Sequence, residues 1–188
     1  MNWRSKMLPW YVMFATGLLL FILAIRADAG VNVAVTPQSQ TVTSGTQVGV
    51  SVEVTSSDLE FNTYGLDIAW GSQLSLVGVS EGSYFPEVCG STFFSWNPQT
   101  QHVGHGLLCF QTFVTGPGKL VGFVFATTGS GQAAVTLGNV YFYRAGYPVT
   151  VSSVANATVT VNAGGGGGHG GELEKPASTW GSIRGMWR

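Results

Sequence analysis

From residue 31 onward, apolar and polar residues alternate with a period of two. Val31, Val33 and Val35 are interleaved with Asn32, Ala34 and Thr36, and Val48, Val50, Val52 and Val54 with Gln47, Gly49, Ser51 and Glu53. Successive side chains of a strand point to opposite faces, so each row predicts a half-buried strand. Leu66, Ile68 and Trp70 form a third row, Leu74 and Leu76 with a run to Val79 a fourth, and Val121, Phe123 and Phe125 a fifth. Val135 and Leu137 are followed by Val140 and Phe142, then by Val149, Val151, Val154, Val159 and Val161. Turn chemistry separates the rows at Ser44-Gly45, Gly71-Ser72, Asn97-Pro98, Gly116-Pro117-Gly118, Gly129-Ser130-Gly131 and Ala145-Gly146. No stretch of a dozen residues between 31 and 162 shows a helical period. About nine strands at this spacing predict an all-β, antiparallel sandwich with one core between two sheets.

The two ends break this pattern. Arg4 and Lys6 precede an uncharged apolar stretch from Leu8 to Ile25, and Ala27-Asp28-Ala29 follows as a small-x-small site. That order is the order of a secretory signal peptide, cut before Gly30. The apolar stretch is also long enough for a hydrophobic helix that stays in the membrane, so an uncleaved anchor is the alternative. Both readings export everything after residue 30, to a secreted or cell-surface location. After Val161, Ala163 to Gly171 is a glycine linker that cannot pack. The chain thus divides into residues 1–29 (signal or anchor), 30–162 (sandwich) and 163–188 (disordered glycine-rich linker and tail). In the tail Trp180, Ile183 and Trp187 fall on one face if Ser178 or Thr179 caps a short helix, with Arg184 and Arg188 beside them. Such a segment is either a disordered end or a tag for a membrane surface or sorting partner.

Composition narrows the function classes. Only 9% of residues are charged, where about 25% is usual. Glycine is abundant, at 27 of 188. Scarce Lys and Glu argue against a helical bundle. A formal net charge of −1 without clustered Lys or Arg argues against a nucleic-acid partner. Residues 30–162 carry two basic residues, Lys119 and Arg144, against six acidic ones, Glu53, Asp58, Glu60, Asp67, Glu81 and Glu87, a net −4.

Export makes the cysteines legible. Cys89 and Cys109 are the only two, and an oxidising compartment favours a disulfide between them. Zinc held with His102 and His105 is the alternative, but residues three apart on a strand point to opposite faces. No catalytic set emerges. The only histidines of the body are His102 and His105, both cysteines are accounted for, Glu53 and Asp67 sit at outward strand positions, and Asp58 and Glu60 read as loop charges. The glycine run lacks the strand–loop–helix context of a phosphate loop, so no cofactor is expected. Asn156-Ala157-Thr158 is a glycosylation sequon, meaningful only in a eukaryotic secretory host. Phe93, Phe94 and Trp96 lie between the cysteines, and Tyr141 and Tyr143 lie opposite Val140 and Phe142. Trp96, Tyr141 and Tyr143 are the candidate platform for a carbohydrate ligand, while Phe93 and Phe94 read more simply as core.

Residues 118–161 carry a resemblance. Gly118-Lys119-Leu120-Val121-Gly122-Phe123-Val124-Phe125 is similar to the G-x-L-A-x-I-x-F strand of cohesin domains. Val135-Thr136-Leu137-Gly138-Asn139-Val140, Pro148-Val149-Thr150-Val151 and Asn156-Ala157-Thr158-Val159-Thr160-Val161 resemble the family's closing series. Gly45-Thr46-Gln47-Val48 resembles its P-G-D-x-V and Leu66-Asp67-Ile68-Ala69-Trp70 its F-x-L-x-Y strand. The resemblance spans roughly residues 31–162 and implies a nine-strand jelly roll that binds a dockerin-like protein through one sheet face. Where some cohesins place an Asn-x-Asp pair ahead of the F-x-L-x-Y strand, this chain has Thr63 and Gly65, and Gly71-Ser72 replaces the usual Asp-Pro. Thr63, Gly65 and Asp67 are thus the candidate partner face. The expectation is a non-catalytic module binding carbohydrate or a dockerin-like protein in a polysaccharide-degrading context. A self-associating structural or adhesive surface protein is the alternative.

Overall fold

The computed structural model describes residues 29–164. The signal or anchor segment of residues 1–28, and the linker and tail beyond residue 164, lie outside the described residues. Twelve strands and one short helix follow in order: β1 (Val31–Thr36), β2 (Ser39–Thr43), β3 (Gln47–Ser57), β4 (Thr63–Trp70), β5 (Leu74–Glu81), α1 (Tyr84–Val88), β6 (Thr92–Asn97), β7 (His102–Leu107), β8 (Gly118–Thr127), β9 (Gly131–Arg144), β10 (Tyr147–Val149), β11 (Val151–Ala155) and β12 (Ala157–Asn162). One sheet runs β11-β1-β3-β8-β5, the other β2-β12-β9-β4-β7-β6, with β10 added beside β9.

The valine rows build the core as their period requires. Val52, Val50 and Val48 of β3 lie opposite Val121, Phe123 and Phe125 of β8, and all six are buried. The facing sheet supplies Tyr64, Leu66 and Ile68 from β4, Val135 and Phe142 from β9, and Val159 and Val161 from β12. At one end Phe61 packs edge-on to Phe142, with ring centroids 4.7 Å apart, and meets Phe85 of α1 at 6.0 Å. The Tyr64 hydroxyl donates to the Leu120 carbonyl at 2.7 Å, tying the two sheets together through the core. Burial raises the Tyr64 pKa well above its ordinary value.

The all-β jelly roll agrees with the sequence reading, but the strand count and pairing need correction. Twelve segments replace nine. β6 and β7 form where no regular row was visible, and two pairings are parallel, β1 with β11 and β12 with β2. Both parallel partners are outermost strands, so the inner strands keep the antiparallel ladder. Cys89 and Cys109 are bonded, with Cα atoms 5.9 Å apart, and the bridge joins the end of α1 to the segment after β7. His102 and His105 point to opposite faces of β7: His105 is buried, while His102 contacts the outward Asp67. No group of three or more potential metal ligands occurs among the described residues.

Candidate functional site

The outer face of β9-β4-β7-β6 gathers most of the residues that the sequence singles out. Cross-strand register sets them in lateral rows. Tyr143 lies beside Thr63, Thr63 beside Gly106, and Gly106 beside Phe93. In the next row Tyr141 lies beside Gly65, Gly65 beside Gly104, and Gly104 beside Ser95. The third row places Asp67 beside His102 and His102 beside Asn97. Three inter-strand steps of about 4.8 Å make this face roughly 14 Å wide. Its middle is floored by Gly104 and Gly106, with Phe93, 60% exposed, on one rim and Tyr143 on the other, where the Tyr141 ring covers Gly65.

A bulge shapes the face. The register of β4 against β9 shifts between Gly65 and Asp67, so that Leu66 stands opposite both Asn139 and Val140. Asn139 takes up the extra residue at φ 45°, a left-handed conformation that asparagine tolerates better than most side chains. The bulge explains why the inward residues of β9 change from odd positions, Val135 and Leu137, to an even one, Phe142. It also brings the Asn139 amide to Asp67, where Nδ2 donates to Oδ2.

Asp67 is the centre of the polar network. Its Oδ1 lies 2.6 Å from His102 Nδ1. An ionised carboxylate only accepts, so Nδ1 carries the proton and a neutral His102 presents Nε2 as an acceptor. The hydrogen bonds from His102 and Asn139 hold the Asp67 carboxyl below the usual carboxylate range. His102 Nε2 meets the Tyr141 hydroxyl at 3.4 Å. The two rings lie 23° from parallel with centroids 6.1 Å apart. Tyr143 is turned, at 62° to Tyr141 with centroids 5.5 Å apart. Ser95 Oγ donates to the Gly104 carbonyl at 3.1 Å.

The structure thus brings together Thr63, Gly65, Asp67, Tyr141 and Tyr143, which the sequence reading had split between a partner face and a sugar platform. Thr63 and Gly65 lie within β4 rather than ahead of it. Trp96 is corrected. It pairs with buried Val103 and packs edge-on to buried Phe123 at 5.8 Å, so it belongs to the inner face and not to the platform. Phe94 is likewise inward, against His105, whereas Phe93 is exposed rather than core. His102 and Asn139 are the members of the network that sequence reasoning missed. The only signal for Asn139 was the parity change along β9. Nothing local to residue 102 announces that it stands opposite residue 67.

Behind the glycine floor, His105 lies 2% exposed between Tyr64, Phe85 and Phe94. Its Nδ1 is 3.1 Å from the Tyr64 hydroxyl. Its Nε2 is 2.7 Å from Glu81 Oε1. Burial lowers the His105 pKa, against the opposing pull of Glu81.

No family model and no curated protein matches the chain. Solved structures do match in fold. The third ScaB cohesin of R. flavefaciens, solved in complex with a group 1 dockerin, has a TM-score of 0.59 and 17% identity over 72% of this chain and 97% of its own. A non-cellulosomal cohesin from the archaeon Archaeoglobus fulgidus gives 0.57 and 19% over 71% and 92%. The OlpC cohesin of Clostridium thermocellum, solved with a dockerin, gives 0.57 and 13% over 74% and 98%. Residues 29–164 therefore have the fold of the cohesin domains.

Proposed function

We propose that the protein is an exported, non-catalytic binding module that docks a dockerin-like protein on the outer face of β9-β4-β7-β6. The observation that carries this reading is the face itself: a strip floored by Gly104 and Gly106, with the Tyr141 ring laid across Gly65 and Phe93 and Tyr143 at its sides, on a cohesin fold. Removing side chains from the middle lets a partner approach the backbone closely, and exposed aromatics at the rim are the residues that anchor protein interfaces. Structures of the same fold solved with dockerins support the partner class. The small-residue site before Gly30 and the Cys89–Cys109 bridge support export.

The test is capture of the full exported chain against a panel of dockerin modules and the secreted proteins of its own host. A saturable partner is expected, with affinity lost on Tyr141→Ala and Tyr143→Ala. Ordered self-association without any captured partner would instead establish the structural, self-assembling reading.

A further inference from the structure

We infer that the same face holds a subsite for a neutral polysaccharide chain, centred on Tyr141 and His102. The inference rests on the reading of this face as the binding surface and adds a second class of ligand to it.

The geometry is that of a panel with a polar border. The Tyr141 ring lies across Gly65: a Cβ at residue 65 would fall 2.2 Å from both Cζ and the hydroxyl oxygen. The ring therefore reaches over β4 until its hydroxyl meets His102 Nε2. Near-parallel rings 6.1 Å apart, in contact through hydroxyl and nitrogen, adjoin one another as tiles rather than stacking face on. The panel is open to solvent, with Tyr141 38% exposed and the His102 side chain 32% exposed. Sugar rings with equatorial hydroxyls offer flat C–H faces, which the negative face of an aromatic ring attracts. Their hydroxyls both donate and accept. Around the panel stand groups that read them: the remaining lone pairs of Asp67, the Asn139 amide, Asn97 and Ser95 Oγ.

Charge decides which glycan. Lys119 and Arg144 are the only basic residues between positions 30 and 162. Lys119 lies on the other sheet, beside Gly122, and Arg144 is paired with Glu60 at 2.8 Å. Among the described residues the panel thus offers no free cation to an anionic polymer, and the Asp67 carboxylate repels one. Shape decides its length. The lateral rows continue along β9, β4 and β7, so contacts can repeat along a chain, with Tyr143 turned as a step beside Tyr141.

The experiment is affinity electrophoresis of the full exported chain in native gels containing hydroxyethylcellulose, a neutral polymer, or carboxymethylcellulose, an anionic one. Retardation is expected in the neutral gel and less in the anionic gel. Tyr141→Ala should abolish it, Gly65→Ala should weaken it by lifting the ring, and Val77→Ala, an exposed residue on the opposite sheet, should leave it intact. Thermal melts of each variant confirm folding. Absence of retardation, retardation only by the anionic polymer, or equal retardation of Tyr141→Ala overturns the subsite. Dockerin capture is measured on the same proteins. Capture without glycan retardation overturns only this inference, whereas loss of both removes the assignment of the face. If both ligands bind, hydroxyethylcellulose should compete with capture.

Discussion

Tyr141 lies across Gly65, its hydroxyl and Cζ in the space that a Cβ at residue 65 would need. The position tolerates glycine alone without moving the ring. The obstructing atoms are the far end of an exposed side chain, so the ring can swing away cheaply. Gly65→Ala should therefore change stability by less than about 1 kcal/mol, in the range of ordinary surface substitutions. Its effect should fall on binding. In a Tyr141→Ala background Gly65→Ala should have no further effect on partner or glycan affinity, because no ring is left to displace. Additive losses in this double-mutant cycle would show that Gly65 acts by itself.

Gly82 presents the opposite case. A Cβ there would lie 2.1 Å from the Lys119 carbonyl oxygen and 2.5 Å from the Leu120 carbonyl carbon. These are backbone atoms, fixed by the ladder between β5 and β8, and Gly82 itself donates to the Leu120 carbonyl at 2.9 Å. Gly82→Ala should cost about 1–3 kcal/mol, as overpacked substitutions do, and lower the urea midpoint while leaving Gly65→Ala close to the wild type. Equal midpoints for the two variants would contradict the difference between a movable ring and a fixed carbonyl.

What could be read from the chain follows from the range of each interaction. The Val48–Val54 and Val121–Phe125 rows were legible because alternation is local and one face is buried. The opposed faces of His102 and His105 followed from their spacing alone. β6 and β7 were not legible as strands, because Gly104 and Gly106 empty two outward positions and Phe93 and Phe94 break the alternation between them. Trp96 was misplaced for the same reason: without a strand assignment its face was undefined. The Asp67–His102 contact joins residues 35 apart in sequence, and only the register of β4 on β7 creates it. Asn139 lay within reach of sequence reasoning, since a change from odd to even inward positions between Leu137 and Phe142 demands one extra residue.

Acid should weaken the sandwich in two separate windows. Burial lowers the folded pKa of His105, so near its unfolded value of about 6.5 the unfolded chain binds the proton more readily. The stability linked to a neutral His105 is present above that value and is lost as pH falls below it. The Asp67 carboxyl is also lowered, by its bonds to His102 and Asn139. Its contribution is present above the ordinary value of 3.8 and is lost only as pH falls through the lower folded value. Urea midpoints should thus decline between pH 7 and 5, and His105→Phe, which keeps an aromatic among Tyr64, Phe85 and Phe94, should flatten that decline. Asp67→Asn should leave the pH 7 to 5 slope intact and reduce the loss below pH 4. A slope between pH 7 and 5 that persists in His105→Phe would assign it to other groups.

The Cys89–Cys109 bridge closes a sequence separation of 20 residues that includes all of β6 and β7. β6 is the outermost strand of its sheet, bonded to a neighbour on one side only, so this segment relies on closure more than an inner strand does. Cross-linking a loop of this size restricts the unfolded chain and contributes about 3 kcal/mol. The bridge also sits beside Phe93 at the rim of the outer face, since Leu108 donates to the Ser91 carbonyl at 2.9 Å and carries β6 against the segment that ends in Cys109. Replacing both cysteines with serine should therefore lower the melting temperature by several degrees and raise hydrogen exchange first in β6, with β3 and β8 protected until global unfolding. Reducing agent should reproduce the shift in the wild type and have no effect on the double variant. If the double-serine protein melts with the wild type and exchanges evenly across both sheets, β6 is held by its ladder to β7 and the Glu81–Thr92 contact, and the bridge is not what secures that rim.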